Sequence, residues 1–482
     1  MEEAAAAAAA AGAAQRQSSL KARRSVKPRN SSSSRKSGRR NVPLSTCDLA
    51  IPNVYAMAIY AFKAPTRPGV VEELERGLAE ALDEYPEWAG RLCKDSSSSS
   101  SSSSSSCSSG LSGSVGSSKV VIDLNDDGVA LMEASMDCCL QDLMPFNPCP
   151  LLFQLVPATK SVEELLLVQV TSFKCGGIVL GVAWHHRLAD GQAFFSFMDN
   201  WSRLTRGAPL ACSPFRDRSA LNAGETAQPL QDDYLLLSPP QAPAPAPDPG
   251  AAKTPPLAAR KFHFSMDLLQ RIKRRAGGDS STDEPASSTT RGVTTFESLT
   301  AHLWRCITKA RGITGDTKTQ IMIPMNGRSR LEPAIPESYF GNATFMPSSG
   351  TEAGELTSRP LCYAAQLVHG AIIKADSSYL RSALELMELQ NRMMKDEEVA
   401  EVVVPPSMSP HVVVTSWVRF PLYDVDFGWG TPLYVGNVLD LYEGIMILLP
   451  SHTQDGSIDA VVALFEPEIE TLQELCYRDD LL

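Results

Sequence analysis

Hydrophobic residues recur at two different spacings along the chain. Short apolar runs such as "NVYAMAIYAFKA", "ELLLVQVTSFKC" and "GGIVLGVAWHH" are rich in β-branched and aromatic residues, which predicts buried strands. In "PGVVEELERGLAEALDEYPEWAGRL" and "GQAFFSFMDNWSRLTRG" the apolar residues lie three and four positions apart, which predicts helices with one buried face. This mixture of strands and helices indicates an α/β protein.

The second half repeats the mixture after a proline-rich interruption. Helices are predicted at "TTFESLTAHLWRCITKARG" and near residues 360–400, and strands at "RKFHFS", "TQIMIPMNGRSR", "HVVVTSWV", "LYEGIMILLP" and "SIDAVVALFE". The stretch "PPQAPAPAPDPG" can continue neither a helix nor a central strand. We therefore predict two similar-sized domains, residues 42–208 and 260–482, joined by a linker over residues 209–259.

Two low-complexity segments stand outside this pattern. Residues 1–41 are rich in Ala, Ser and Arg and poor in apolar bulk, which predicts a disordered basic tail. The alternative is a transit peptide, because such peptides are rich in Arg and Ser and poor in acids. The first alternative predicts a cytoplasmic protein and the second a plastid one. Residues 96–118 are mostly serine, and we predict that they are an extended hairpin loop.

Composition and charge exclude several classes of protein. The 482 residues are 43% hydrophobic and carry a net charge of −11, although residues 1–40 are basic. The acidic body argues against nucleic acid as a ligand, since phosphate contacts need a cationic face. No apolar run reaches the roughly 18 residues that a membrane span needs. The eleven cysteines form no CxxC pair, which favours free thiols over a disulfide framework.

Candidate chemistry lies where a predicted strand meets a predicted helix, in "GVAWHHRLADGQAFF". His185 and His186 point to opposite faces if they end a strand, and no third His or Cys stands nearby, so the pattern is a poor metal site. A neutral imidazole near pH 7 can act as a general base, and a purely structural pair of histidines is the alternative. Asp190 could anchor the turn through an ion pair, and Gly191 permits close backbone approach.

Other common chemistries lack their sequence signals. The chain contains no GxSxG, GxGxxG or GxxxxGK[ST] motif. Cys175 lies within an apolar run, where a thiol is expected to be inert packing. The remaining hypothesis is direct transfer, in which a base deprotonates an acceptor that attacks an activated acyl group.

Two motifs together resemble a known family. "HHRLADG" fits the HxxxDG motif of the plant BAHD acyl-CoA-dependent acyltransferases through His186, Asp190 and Gly191, and "DFGWG" matches their second signature. The stretches "YPEWAGRL", "VTSFKCGG", "HLWRC", "NGRSRLEP", "YFGNA" and "YEGIMILLPS" are similar to the hydroxycinnamoyltransferase branch. The resemblance covers roughly residues 42–480 and excludes the tail, the polyserine insertion and most of the linker.

The resemblance implies a fold and a division of roles. The expected fold is like that of chloramphenicol acetyltransferase, with two mixed β-sheet domains, flanking helices and an active-site channel at the interface. It implies His186 as the general base and Asp190 as a structural residue paired with an arginine. The second signature is expected to be structural through Asp426, Gly428, Trp429 and Gly430. Acyl-CoA would be a co-substrate of a monomeric enzyme that needs no metal or redox cofactor.

The resemblance also suggests residues for the acceptor. Shikimate-using relatives carry hydroxyl side chains along the first strand, where this chain keeps only Tyr60. Arg419 corresponds to an arginine that grips an acceptor carboxylate, which suits its planar fork. The alternative for Arg419 is an ion pair with Asp424 or Asp426. "AIYAFKAPTRP" is more similar to the agmatine and putrescine enzymes, which make amides.

Four residues are candidate CoA contacts. Thr295 and Ser298 could face the pantetheine arm, or simply be the polar side of a helix, and Asn326 and Arg328 could lie near the CoA channel or hold a turn. The leading hypothesis is transfer of a hydroxycinnamoyl group to a small amine such as agmatine or putrescine. Transfer to the hydroxyl of shikimate or quinate is the second hypothesis, and a catalytically silent receptor of the same fold is the third.

Overall fold

Two six-stranded mixed sheets organise the chain. The computed structural model describes residues 17–30, 41–65, 68–94, 120–222, 255–278, 292–396, 405–438 and 442–481. No helix among these residues is long and apolar enough to cross a membrane.

The first sheet has the order β1 (Ser18–Val26), β6 (Val129–Met136), β7 (Leu166–Phe173), β8 (Ile178–His185), β3 (Tyr55–Phe62) and β15 (Tyr434–Val438). Only the β6 and β7 pair is parallel. Every residue of β8 is buried, which agrees with the continuous apolar run that predicted it.

The second sheet has the order β13 (Ser348–Glu352), β10 (Lys318–Met322), β14 (Val412–Ser416), β16 (Ile445–Pro450), β17 (Ile458–Phe465) and β9 (Leu257–Phe264). Strand β14 lies parallel to both of its neighbours, and the other pairs are antiparallel. Two small sheets join β2 (Asn41–Pro43), β5 (Val120–Asp123) and β4 (Arg91–Lys94), and β11 (Met325–Asn326) and β12 (Thr344–Phe345).

The α-helices flank the sheets. They are α1 (Thr46–Leu49), α2 (Val70–Glu84), α3 (Gly191–Thr205), α4 (Met266–Ala276), α5 (Thr295–Ala310), α6 (Ala353–Ser358), α7 (Leu361–Lys374), α8 (Ser377–Asp396) and α9 (Glu466–Leu475). Helix α5 begins with a capping box, in which Thr294 accepts from the Glu297 amide and Glu297 accepts in return. The predicted two-sheet α/β architecture is confirmed.

The prediction of a disordered tail over residues 1–41 is wrong for part of that segment. Ser18–Val26 forms β1, which pairs with β6 along its length. Arg24 pairs with Glu75 and Glu133, so the basic residues of this strand meet acids of the folded body. Composition missed the strand because Val26 is its only buried residue and its other positions, the cations included, are exposed or partly exposed.

The predicted boundaries of the two domains and their linker also need correction. β15 lies within residues 260–482, yet it pairs with β3 of the first sheet from Tyr434–Ala61 to Val438–Met57. β9 begins at Leu257, inside the predicted linker. The flanking strands β4 and β5 pair as the predicted hairpin, and its serine-rich loop lies outside the described residues.

Candidate active site

The junction of β8 and α3 is held by aromatic packing and a helix cap. Trp184 stacks on Phe194 with ring centroids 3.6 Å apart, which fixes α3 against the strand. Asp190 is the N-cap, and its Oδ1 accepts from the Ala193 amide at 2.9 Å. A Cβ at Gly191 would lie 2.8 Å from the Phe420 ring, so close approach requires the glycine here.

Asp190 is also half of a buried ion pair. Arg328 Nη1 and Nη2 donate to its two carboxylate oxygens at 2.8 and 3.0 Å, and the Ala343 amide donates at 2.9 Å. Burial opposes the charged carboxylate, but the Arg328 charge and these hydrogen bonds hold the pKa of Asp190 below its ordinary value. This pair ties the β8–α3 junction to the segment before β12.

The prediction of Arg328 as a CoA contact is therefore wrong. Its side chain is completely buried, and it also donates to the Tyr339 and Gly341 carbonyl oxygens at 3.0 and 3.1 Å. A guanidinium with these partners is committed to the interior and cannot reach a ligand phosphate.

His186 follows β8 and faces a large cavity. Its backbone amide donates to the Val54 carbonyl at 2.9 Å, and its own carbonyl accepts from Asn342 Nδ2 at 2.9 Å. Burial of the ring lowers the pKa of His186 below 6.5 despite the nearby Asp190 charge. Within the described part of the chain, its Nδ1 is buried with no hydrogen-bond partner. The imidazole is thus neutral near pH 7.

Asn342 connects His186 to a second buried ion pair. Its amide N–H and Nδ2 donate to Asp48 Oδ1 at 2.8 and 2.9 Å, and Arg218 pairs with the other carboxylate oxygen. Asn342 lies in the motif "YFGNA", but the sequence predicted no role for it. Arg218 lies within the predicted linker. The only sequence signal was that resemblance motif, since polar residues so far apart show no periodic pattern.

His185 is held in the wall. Its Nε2 lies 2.7 Å from Asn53 Oδ1, and its ring meets Tyr55 edge-on. Burial lowers its pKa to about 3, so the ring is neutral and Nε2 carries the proton that Asn53 accepts. The two adjacent histidines therefore have different surroundings, although both residues line the cavity.

The cavity has a volume of about 1670 Å³ and is lined by both halves of the chain. His186 and Gln192 contribute from the first half, and Thr415, Arg419 and Ile447 from the second. No group of three His, Cys, Asp or Glu side chains within the described residues is arranged to hold a metal ion. This space can take an extended ligand and a second molecule beside His186.

Arg419 is exposed on the cavity wall. Among the described residues, Arg419 forms no ion pair with Asp424 or Asp426. The Oδ2 atom of Asp426 instead lies 3.8 Å from Nη1 of Arg206. Asn326 also lines the cavity, while its Oδ1 accepts from the Arg328 amide at 3.0 Å.

Three other predicted contacts lie away from the cavity lining. Tyr60 is fully buried in the core of the first half, so its prediction as an acceptor contact is wrong. Ser298 is buried too, and its hydroxyl donates to the Thr294 carbonyl at 2.8 Å. Thr295 stands beside it in the first turn of α5. Thr295 and Ser298 were predicted as CoA contacts, but neither lines the cavity.

The DFGWG segment forms a tight loop away from His186. Asp426 Oδ1 accepts from the Gly428 and Gly430 amides at 2.7 and 3.0 Å. Both glycines have positive φ, 106° and 101°, which favours glycine over other residues. Trp429 packs against Phe62 and Phe427. These contacts are structural, and the loop lies just before β15.

Comparison with known proteins agrees with this architecture. The sequence profile of the Transferase family matches residues 20–109 and 109–479. The chain belongs to the BAHD acyltransferase family. It is 32% identical to a shikimate O-hydroxycinnamoyltransferase of Nicotiana tabacum over 90% of this chain and 94% of that protein. It is 33% identical to agmatine coumaroyltransferase-1 of Hordeum vulgare over 91% and 94%.

Solved structures share the fold of this BAHD protein at low identity. Vinorine synthase matches with a TM-score of 0.64 and 20% identity over 95% of this chain and 98% of that one. The TRI101 protein of F. sporotrichioides, complexed with coenzyme A and T-2, matches with a TM-score of 0.68 and 17% identity over 89% and 96%. With its family and its transferase relatives, the protein is an acyl-transferring enzyme.

Proposed function

We propose that this BAHD enzyme transfers a hydroxycinnamoyl group from CoA to a small amine or alcohol, with His186 as the general base. The observation that carries the proposal is the imidazole of His186, whose pKa is lowered by burial, on the wall of a cavity shared by both halves. The imidazole takes the proton of the acceptor, and the acceptor attacks the thioester carbonyl. The acyl group passes to the acceptor, and the CoA thiolate leaves and takes the proton from the imidazolium of His186.

The reaction needs neither a metal nor a redox cofactor, because the thioester already activates the acyl group. The hydroxycinnamoyl donor is supported by the names of the relatives, which are shikimate, agmatine and putrescine enzymes of that class. A monomeric state and a cytoplasmic location, with a plastid as the alternative, stay predictions.

For the acceptor we propose a cationic amine such as agmatine or putrescine. Two exposed carboxylates, Asp127 and Glu163, line the part of the cavity built by the first half. A cation beside these two carboxylates would meet opposite charge, although Arg91 and Lys94 line the same part of the cavity.

Arg419 favours a second candidate, an acceptor acid such as shikimate or quinate. Its guanidinium is exposed in the same cavity and can bind a carboxylate through two hydrogen bonds. The two candidates make opposite predictions for variants. Asp127→Asn with Glu163→Gln should raise the KM for an amine, whereas Arg419→Gln should raise the KM for an acid.

The experiment offers p-coumaroyl-CoA with agmatine, putrescine, shikimate or quinate in separate reactions and measures CoA release and the product mass. Wild type should form an amide with an amine, and His186→Ala should not. If wild type instead forms an ester with shikimate, and Arg419→Gln lowers the rate of that reaction, the acceptor is an acid and not an amine. Absence of product with every acceptor, from folded protein that binds the thioester, would contradict the proposed donor.

A further inference from the structure

Two cysteines meet where the β7–β8 turn packs against the end of β6. Met136 of β6 and Phe173 of β7 are the last pair of residues in register between these two parallel strands. Cys139 follows Met136 by three residues, and Cys175 follows Phe173 by two. The Lys174 amide donates to the Cys138 carbonyl at 3.0 Å, which keeps the two segments together. Lys174 Nζ also lies 3.5 Å from Asp137. The cysteines, 36 positions apart in sequence, are thus neighbours in the fold.

The sulfur of Cys175 is built into this contact. Its Sγ accepts a hydrogen bond from the Leu140 amide at 3.3 Å, and Leu140 is bonded directly to Cys139. The thiols of Cys139 and Cys175 hydrogen-bond each other, and the Gly177 amide also donates to Cys175. Cys175 is exposed and Cys139 partly exposed, so solvent reaches the pair. The expectation that Cys175 is packed in the interior is wrong.

The surroundings give the two thiols different acidities. The hydrogen bond from Leu140, followed by those from Gly177 and Cys139, lowers the pKa of Cys175. Burial of the Cys139 thiol and the neighbouring Cys175 sulfur raise the pKa of Cys139. Cys175 is therefore the more acidic of the two thiols, which favours its sulfur as the attacking group. Cys306 and Cys476 also lie together, but both are buried and out of reach of solutes.

We propose that Cys175 and Cys139 form a reversible thiol-modification site that reacts with a low-molecular-weight disulfide such as oxidised glutathione. The Cys175 thiolate attacks one sulfur of glutathione disulfide, the S–S bond of that reagent breaks, and one glutathione thiolate leaves. Cys139 then loses its proton and attacks the Cys175 sulfur, which releases the second glutathione. The two protein thiols are oxidised to one disulfide while glutathione disulfide is reduced to two thiols.

The roles follow from thiol chemistry. The thiolate is the attacking species, so the thiol with the lowered pKa reacts first with an outside disulfide. The partner needs only to lie within bonding reach, since Cα atoms of bridged cysteines are usually about 4.4–6.8 Å apart. Cys139 and Cys175 lie just beyond the ends of β6 and β7, and the 3.3 Å hydrogen bond from the Leu140 amide to Cys175 Sγ holds the two segments in contact.

The thiol pair lies far from the cavity. Cys175 precedes β8 and His186 follows it, so the eight residues of the strand separate them by roughly 26 Å. Neither cysteine lines the cavity. The thiol site is therefore independent of the proposed acyl transfer, and serine variants of either cysteine should keep wild-type transferase activity.

The test treats the full chain with oxidised glutathione, blocks the remaining thiols and maps tryptic peptides without reduction. Cys175 falls in peptide 175–187, and Cys138, Cys139 and Cys149 share peptide 120–160. Wild type and the matched control Cys138→Ser should give a cross-link between these peptides. Cys139→Ser should stop at glutathione on Cys175, and Cys175→Ser should give neither product.

Two results of this peptide mapping would overturn the proposal. One is a cross-link that survives in Cys139→Ser, and the other is glutathione on Cys175 at no higher yield than on Cys212, which is also exposed. Alkylation with iodoacetamide at about pH 6.5 gives an independent readout, because only the thiolate reacts. Cys175 should be alkylated several times faster than Cys212 and Cys149, and equal rates would contradict the assignment. Thermal unfolding of each variant checks that it is folded.

Discussion

At the residue scale, His186 combines exposure to the cavity with a buried ring. Replacement by alanine removes the proposed base but leaves the backbone hydrogen bonds to Val54 and Asn342 available. We expect His186→Ala to lower kcat by about 10² to 10⁴, the usual contribution of general base catalysis, with little change in thermal unfolding.

Steady-state kinetics with p-coumaroyl-CoA would measure this effect. His263→Ala is the control, since His263 is half-exposed on β9 and does not line the cavity. If His186→Ala retained more than about a tenth of wild-type kcat, general base catalysis by this residue would be excluded.

The pH dependence of activity follows from the same burial. The pKa of His186 is lowered, so the ring stays neutral and able to accept a proton to a pH below 6.5. Activity should be constant near pH 7 and fall only as the pH drops through this lowered pKa. A profile of kcat/KM against pH measures the acid limb. A midpoint above 6.5 would mean that a group other than the buried His186 controls activity.

At the element scale, the Asp190–Arg328 pair joins α3 to the segment before β12. Asp190→Asn removes the negative charge and leaves Arg328 buried without its counter-ion. Breaking a buried pair in this way typically costs about 3–5 kcal/mol. We expect a loss of that size in the free energy of unfolding, measured by urea denaturation.

An exposed pair provides the control for Asp190→Asn. Glu355 and Arg359 form an ion pair on the surface of α6, where both side chains are about half exposed. Glu355→Gln should cost less than about 1 kcal/mol. Equal losses for the two variants would contradict the anchoring role of Asp190.

The edge strand β1 carries the second prediction at this scale. Deleting residues 1–30 would expose the backbone edge of β6 along its whole registered length. We expect a lower Tm and more light scattering on heating than for wild type. Deletion of residues 1–16, which precede β1, is the matched control and should change neither quantity.

This experiment also bears on the transit-peptide hypothesis. A protein that lost the predicted segment, residues 1–41, would lose β1. If the deletion of residues 1–30 matched wild type in Tm, β1 would be dispensable and cleavage after import would be compatible with the fold.

At the scale of the whole molecule, the two halves share a sheet, a cavity and buried ion pairs. β15 completes the first sheet, and Arg328 of the second half is the counter-ion of Asp190. We expect residues 1–208 expressed alone to fail to fold cooperatively, because they would leave β3 as an open edge and Asp190 unpaired. Co-expression with residues 209–482 should restore a cooperative transition, measured by circular dichroism on heating. A cooperative transition from residues 1–208 alone would contradict this prediction.

Much of the fold was predictable from local sequence. β7 and β8 are continuous apolar runs buried on both faces, and α3 carries Phe194, Met198 and Trp201 on its buried side. These signals are short-range, so periodicity reports them directly. The position of His186 at the end of β8 followed from the same pattern. The strands β1 and β15 were missed because pairing with distant partners, rather than their own composition, stabilises them.

Sequence alone determined the α/β class, the elements around the candidate base and, through two motifs, the acyltransferase resemblance. Only the tertiary structure decided which polar residues are ligands and which are interior supports. Arg328 and Tyr60 look equally available in the sequence, yet one is buried against Asp190 and the other in the core, while Arg419 stands exposed in the cavity. The physical reason is that burial and ion pairing depend on residues far apart in the chain, which no local spacing encodes.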